Sequence, residues 1–299
     1  MEIIAKRHFI KFYLYLILWI SFLIASILIF HNELIKLDSQ SIWAWFALVI
    51  PLFVIISYLR NSPKLIINKN GILSNTIFYD WKHLSSCKLT GKKRLSIVPE
   101  ECATLTFNNS KTITIFDDFY SNSSEIKLFI QEIVLNKKEA VEIKEKPNHQ
   151  INFFQEKFII YKGYPIFCGF GIIIWMPFLF LIGASMYHLK IYPLKTFVSC
   201  SVITVFLMLV YSWLLYYFEV SQNYLIIKNH YYFWKKEIYY LSDIKEIVFE
   251  ERYGKRPKSL TIITFDFKTE RYYAGSLTSK TWLAMKDELK NQNIVIRNH

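Results

Sequence analysis

The sequence predicts a membrane α+β protein. It expects four transmembrane helices paired as two hairpins, each followed by a small β-rich domain closed by a C-terminal helix. Three observations carry that expectation. Four long runs contain no charged residue, the chain after each pair of runs alternates apolar and polar residues, and the features after the first pair recur in order after the second.

The uncharged runs are Phe12–Phe30, Ser39–Leu59, Gly163–Leu189 and Thr196–Phe218. Each reaches the roughly 20 apolar residues that span a bilayer core. They concentrate a composition that is 53% hydrophobic and 18% aromatic, above the soluble norm. Aromatic residues such as Trp43, Trp45, Tyr58, Trp213, Tyr216 and Tyr217 fall toward the run ends, where interfacial belts form. The first run is too long for a signal h-region and lacks a following small-residue cleavage site, so it reads as uncleaved. Without Asp, Glu, Lys or Arg in any run, the ion pathways of transporters are disfavoured. Pro165, Gly169, Gly171, Pro177 and Gly183 in the third run read as packing and kink residues rather than a broken-helix site.

Lys6, Arg7 and Lys11 precede the first run, Arg60, Lys64 and Lys69 follow the second, and Lys157 and Lys162 precede the third. The positive-inside rule then places both termini and the middle domain in the cytoplasm. Lys190 and Lys195, between the third and fourth runs, weigh the other way. The net charge of +12 reads as this loop bias and as affinity for an anionic surface, not as a nucleic-acid footprint. The expected organisation is hairpin 1 over 1–61, a β-domain over 62–137, a charged linker over 138–162, hairpin 2 over 163–218 and a second β-domain over 219–299.

The recurrence begins at Leu65-Ile66-Ile67, followed by Lys69-Asn70, and again at Leu225-Ile226-Ile227, followed by Lys228-Asn229. Nineteen positions separate Leu65 from Leu84, and nineteen separate Leu225 from Ile244. Both copies continue with a basic loop and then with alternating strands, Thr104–Phe107 and Thr112–Phe116 in one, Leu260–Phe265 in the other. Each ends in an amphipathic helix. The first has a capping-box pattern at Asn122 and Glu125 and a stripe of Ile126, Phe129, Ile130, Ile133 and Val134. The second starts at Thr278 or Ser279 and carries Trp282, Met285 and Leu289.

A membrane hairpin, strands and one closing helix, with the Asn70-Gly71-Ile72 turn and the Tyr79-Asp80-Trp81-Lys82-His83-Leu84 stretch, resembles the bacterial PH-domain-like family of membrane proteins. The resemblance covers about residues 62–137 and 219–297. It implies a PH-like β-domain in each copy and a location at the bacterial inner membrane. It is nearly silent on activity, since such domains host many binding roles. In the second copy His230 stands where Gly71 would fall, and Asp243 takes the place of His83.

No catalytic, cofactor or metal motif is present, so the chain reads as a non-enzyme without cofactor. The seven histidines are scattered, and Cys87, Cys102, Cys168 and Cys200 have no metal-ligand spacing. Glu100-Glu101, Asp117-Asp118 and Glu250-Glu251 are adjacent on strands, hence on opposite faces, and read as solvated surface. The candidate contact residues are Lys88, Lys92, Lys93 and Arg94 in one basic loop and Arg252, Lys255, Arg256 and Lys258 in the other. They would meet anionic lipid or a protein partner. The function this supports is a membrane-anchored binding or scaffold protein at the cytoplasmic face. The rivals are a protective protein against a membrane-active toxin or peptide, and a small-molecule or lipid transporter.

Overall fold

The computed structural model describes residues 2–36, 41–94, 99–108, 110–138, 156–186, 193–251 and 256–298. They form two compact units, Met1–Glu145 and Lys146–His299. The described residues contain six α-helices and four sheets of four strands each.

In the first unit, strand β1 (Glu2–Ile4) comes before the apolar helices. A π-helical turn, Phe9–Leu14, leads into α1 (Tyr15–Lys36), which α2 (Ser41–Arg60) follows. The chain then makes β2 (Leu65–Asn68), β3 (Gly71–Ser74) and β4 (Ile77–Asp80). These join β1 in one antiparallel sheet of order β1-β2-β3-β4. A 3-10 turn over Trp81–His83 passes to the second sheet, β5 (Leu84–Lys88), β6 (Lys92–Arg94), β7 (Pro99–Phe107) and β8 (Thr112–Phe116). Helix α3 (Ser123–Phe129), extended by a π turn to Leu135, buries Ile126, Phe129 and Ile130 against both sheets. Alternation explains the sheets: β2 buries Leu65 and Ile67 and turns Ile66 and Asn68 outward.

The second unit repeats this order. β9 (Ile159–Tyr161) precedes α4 (Gly169–Met186) and α5 (Pro193–Tyr211). β10 (Tyr216–Val220), β11 (Tyr224–Asn229) and β12 (Lys236–Tyr240) complete a sheet of order β12-β11-β10-β9. After a 3-10 turn over Leu241–Asp243 come β13 (Ile244–Glu250), β14 (Ser259–Thr264) and β15 (Thr269–Tyr273). Helix α6 (Ser279–Asn291) seats Trp282, Met285 and Leu289 in the core, and β16 (Ile296–Asn298) then pairs parallel to β13.

This architecture overturns the four-helix membrane fold. Among the described residues, two helical stretches are long and apolar enough to cross a membrane, Phe9–Leu28 and Phe197–Leu214. The other two apolar stretches, Trp45–Arg60 and Gly169–Gly183, are shorter and carry Pro51 and Pro177. Beyond these helices the described chain forms the four sheets, the helices that close them and the turns between. The domains also absorb the ends of the apolar runs. Phe12 is fully buried beside Leu65 and Phe119, and Tyr216 and Phe218 are core residues of β10. Residues 163–168, read as membrane helix, precede α4. Hydropathy registers burial without distinguishing lipid from a protein core, so the runs overshoot into both.

The domain boundaries move for a related reason. The β-domains do not simply follow the helix pairs, because β1 and β9 precede them and pair with β2 and β10. β9 lies inside the segment read as linker, and residues 139–155 of that linker lie outside the described residues. The expected match of Leu65 to Leu225 is displaced by one strand: Leu65 is in the second strand of its sheet and Leu225 in the third. The displacement has a local cause. Asn68 Oδ1 accepts from the amides of Asn70 and Gly71, and Asn229 Oδ1 accepts from those of Tyr231 and Tyr232. The same strand-and-Asn turn serves two different positions, so His230 is not the counterpart of Gly71. Asn122 does not cap α3, since its amide group bridges β1, accepting from Lys6 N and donating to Ile4 O. Thr278 does cap α6 through Thr281 N.

Candidate functional site

The basic segment of the first unit is a strand rather than a loop. β6 pairs with the start of β7 in the register Lys92↔Glu101, Lys93↔Glu100 and Arg94↔Pro99. Pleating sends Lys92 inward, where its side chain is 3% exposed and its ammonium stands 4.0 Å from a Glu101 carboxylate that is buried to the same degree. Lys92 is therefore corrected from a contact residue to a structural one. Lys93 and Arg94 are exposed, as is Lys88 at the end of β5. The Lys93 ammonium donates to Thr114 Oγ1 at 2.9 Å.

This hairpin leaves the end of the sheet nearest the helix bases. Cys102, next along β7, pairs with Phe116. Phe116 lies 5.4 Å from Phe119, whose ring packs at 5.7 Å on Phe12 and 4.7 Å on Tyr58, the residues that open and close the first helix pair. Lys11, one turn into the first helix, pairs with Asp118 at 2.8 Å.

The second unit places its basic segment alike. Glu250 ends β13 and Ser259 begins β14, so the connection emerges where Ser259 pairs with Tyr273. The Tyr273 ring meets Trp213 edge-on at 4.9 Å, and Ala274 bridges to Leu215, both at the exit of α5. Arg256 is exposed. Lys258 is mostly buried, with its ammonium 3.0 Å from Ser279 Oγ and 3.5 Å from Glu251. It ties the connection to the start of α6. Arg252 and Lys255 lie outside the described residues.

In each acidic pair one member turns inward (Glu101, Asp117 and Glu250), while Asp118 and Glu251 stay solvated as expected. Asp117 holds Lys127 through both carboxylate oxygens, at 2.6 and 2.8 Å, with the two side chains 7% and 1% exposed. Glu250 accepts from Ser259 Oγ and Thr261 Oγ1 and faces Arg271 at 3.4 Å. Glu251 accepts from the Trp282 indole. These interactions are local props of sheet and helix, since buried carboxylates persist only where cations or donors meet them. No periodicity marks Lys127: it occupies a buried helix position where Asp117 meets its ammonium.

Tyr216 and Tyr272 belong to the second unit's core with Tyr239 packed against it, and the more exposed Glu237 and Lys235 meet their hydroxyls at its edge. The Tyr272 hydroxyl donates to Glu237 and bonds the Tyr239 hydroxyl, while Lys235 donates to Tyr216 Oη at 2.9 Å. Burial, ahead of neighbouring charge, holds the Tyr239 and Tyr272 phenols well above the ordinary tyrosine range, so both stay protonated. The His230 ring lies 4.8 Å from that of Tyr217, with its Nε2 3.1 Å from Ser276 Oγ. Burial first and Lys162 second lower its pKa to about 4.

No known protein-family model matches the sequence, and comparison with curated proteins finds no match.

Chemically, the arrangement offers binding surfaces. Among the described residues no three His, Cys, Asp or Glu side chains converge as metal ligands. Burial pushes the Cys87 thiol up to about 11, leaving it protonated at neutral pH. A cleft of about 330 Å³ opens between Leu241, Ile244, Phe265 and Val295 at the end of the second unit away from its helix pair. Of the eight sequence-selected cations, Lys88, Lys93, Arg94 and Arg256 remain exposed, at the helix-base end of their own units.

Proposed function

We propose that the chain is a non-enzymatic membrane-associated binding or scaffold protein. It works at the cytoplasmic face of a bacterial inner membrane and turns the basic ends of its β-domains to anionic lipid headgroups. One observation carries this reading. In each unit the basic segment emerges at the sheet end from which the apolar helix pair departs.

A helix long and apolar enough to cross a membrane brings that end to the headgroup region. There each Lys or Arg contributes about 1 kcal/mol toward an anionic surface, within a Debye length of roughly 8–10 Å. Arg7, Lys11, Arg60 and Lys64 cluster at the same base, which supports a cytoplasmic placement by the positive-inside rule. A four-stranded antiparallel sheet, a second four-stranded sheet and a closing helix in each unit support membership of the PH-domain-like membrane family.

The test is hydrogen exchange on the full chain in nanodiscs. Peptides covering 88–101 are expected to gain protection when phosphatidylglycerol replaces phosphatidylcholine. They should lose it in high salt or in the K93Q/R94Q variant. Equal protection in both lipids sinks the reading.

A further inference from the structure

The turn joining β11 to β12 differs in character from every basic segment above. It reads Tyr231-Tyr232-Phe233-Trp234, followed by Lys235-Lys236. Phe233 is 85% exposed and Trp234 is 68% exposed, and their rings meet edge-on at 4.9 Å. Two such rings offered to water are costly unless something apolar receives them.

The turn is built rather than loose. Buried Asn229 accepts from the Tyr231 and Tyr232 amides at 2.9 and 3.0 Å and donates through Nδ2 to Ser212 O at 2.7 Å. Lys235 N closes it onto Tyr232 O at 2.8 Å. It is also fastened to the apolar helices. The Tyr232 hydroxyl donates to Leu209 O in α5 at 3.0 Å, and the Trp175 indole of α4 donates to Tyr231 Oη at 3.3 Å. The exposed apolar surface of α5, including Val202, Phe206 and Leu209, thus continues onto Phe233 and Trp234.

Polarity within the first sheet of each unit follows the same axis. The turns away from the helix pairs are polar, Lys69-Asn70 in one and Ser221-Gln222-Asn223 in the other. In the first unit the turn toward the helix pair, where Lys64 and Asn75 exchange hydrogen bonds, is followed by Ile77 and Phe78, both about half exposed. The Phe78 ring reaches back over Gly71, so the first unit presents Ile77 at the sheet end beside its helices and the second unit presents Phe233 and Trp234, with polar turns at the opposite end of both sheets. Aromatic rings flanked by lysines match the headgroup–acyl boundary, which accepts an apolar ring face and a cation just above it.

We propose that the Tyr231–Trp234 turn is an interfacial anchor that seats Phe233 and Trp234 in the headgroup–acyl boundary of a phospholipid bilayer beside α5. It rests on the reading that α5 enters a bilayer, and the test separates the two. In the full chain, with the four cysteines replaced by alanine, nitroxides are placed singly at Phe233, at Val202 on α5 and at Lys290 on α6. The chain is reconstituted in phosphatidylcholine/phosphatidylglycerol vesicles. Collision with oxygen, which partitions into lipid, is compared with collision with a water-soluble nickel chelate. Position 233 is expected to show a several-fold lower chelate collision rate than 290, and an oxygen-to-chelate ratio between those of 290 and 202. Chelate access equal to that at 290, with 202 in hydrocarbon, overturns the anchor alone. Low access to both reagents at 233 means that protein covers the turn, which also overturns it. Chelate access at 202 overturns the membrane reading beneath it. In the chain with its native cysteines, the fluorescence lost in Trp234→Phe should be the part quenched by lipids brominated near the headgroup. Quenching of that part by aqueous iodide to the level of free tryptophan would contradict the anchor.

Discussion

Ile3 lies directly across from Ile67 in an antiparallel ladder, although the whole first helix pair intervenes between them in sequence. The Ala5 amide continues the ladder to Leu65 O at 2.9 Å. The ends of the helix pair are therefore held on one sheet, and Tyr161 opposite Phe218 does the same in the second unit.

That pairing fixes sidedness. Single cysteines at Glu2 and Asn70, both exposed, should react equally with an impermeant thiol reagent from whichever side reaches either. The same holds for Lys157 and Gln222. Reaction of one member from outside intact cells, and of the other only after lysis, would contradict the sheet.

The buried Asp117–Lys127 pair makes a stability prediction. Asp117→Ala leaves an ammonium that is 1% exposed without its closest anion. The expected cost is about 3–5 kcal/mol, whereas combining Asp117→Leu with Lys127→Met recovers most of it, because an apolar pair needs no desolvated charge. Urea unfolding of the purified chain in detergent measures both. A single variant as stable as the parent would show that the pair is not felt in solution.

Gly163 has no room for a side chain. A Cβ there would stand 1.9 Å from Ser276 O, whereas one at Gly183 would meet nothing within 4 Å. Gly163→Ala should destabilise the second unit by about 1–3 kcal/mol through forced backbone movement. Gly183→Ala should be neutral or mildly stabilising, since it adds helix propensity. Thermal unfolding of the two variants provides the comparison.

His230 gives a pH dependence of defined sign. Its folded pKa, about 4, lies below the ordinary 6.5, because burial and Lys162 disfavour the imidazolium. Between these values the unfolded chain binds a proton that the folded chain does not. Its contribution to stability is thus full above about pH 6.5 and falls as pH drops toward 4. His230→Gln, which keeps a polar partner for Ser276, should flatten that part of the profile. An unchanged slope in the variant would assign the acid sensitivity to other groups.

The order of elements was legible because its signals are local. Alternation marked β7, β8 and β14, and the spacing of Trp282, Met285 and Leu289 marked α6. The basic segments could also be read directly, but their burial could not. Lys92 and Lys93 are indistinguishable as letters, and only the β6–β7 register turns one toward Glu101 and leaves the other exposed. The aromatic turn at 231–234 went unread because its apolar letters sit between strand signals, with no period to flag them.

Where the chain is apolar, where it alternates, and that its features occur twice can be read from the order of residues. Those properties depend on residues a few positions apart, and the backbone geometry of helix and strand reads them directly. Long-range packing sets the rest: β1 and β9 enter the sheets beyond their helix pairs, the run ends belong to domain cores, and both basic segments emerge beside the helices. Each of these is a choice of partner across a long loop. Many pairings satisfy the same local alternation, and the selection among them comes from the shared burial of residues such as Phe12, Leu65 and Phe119.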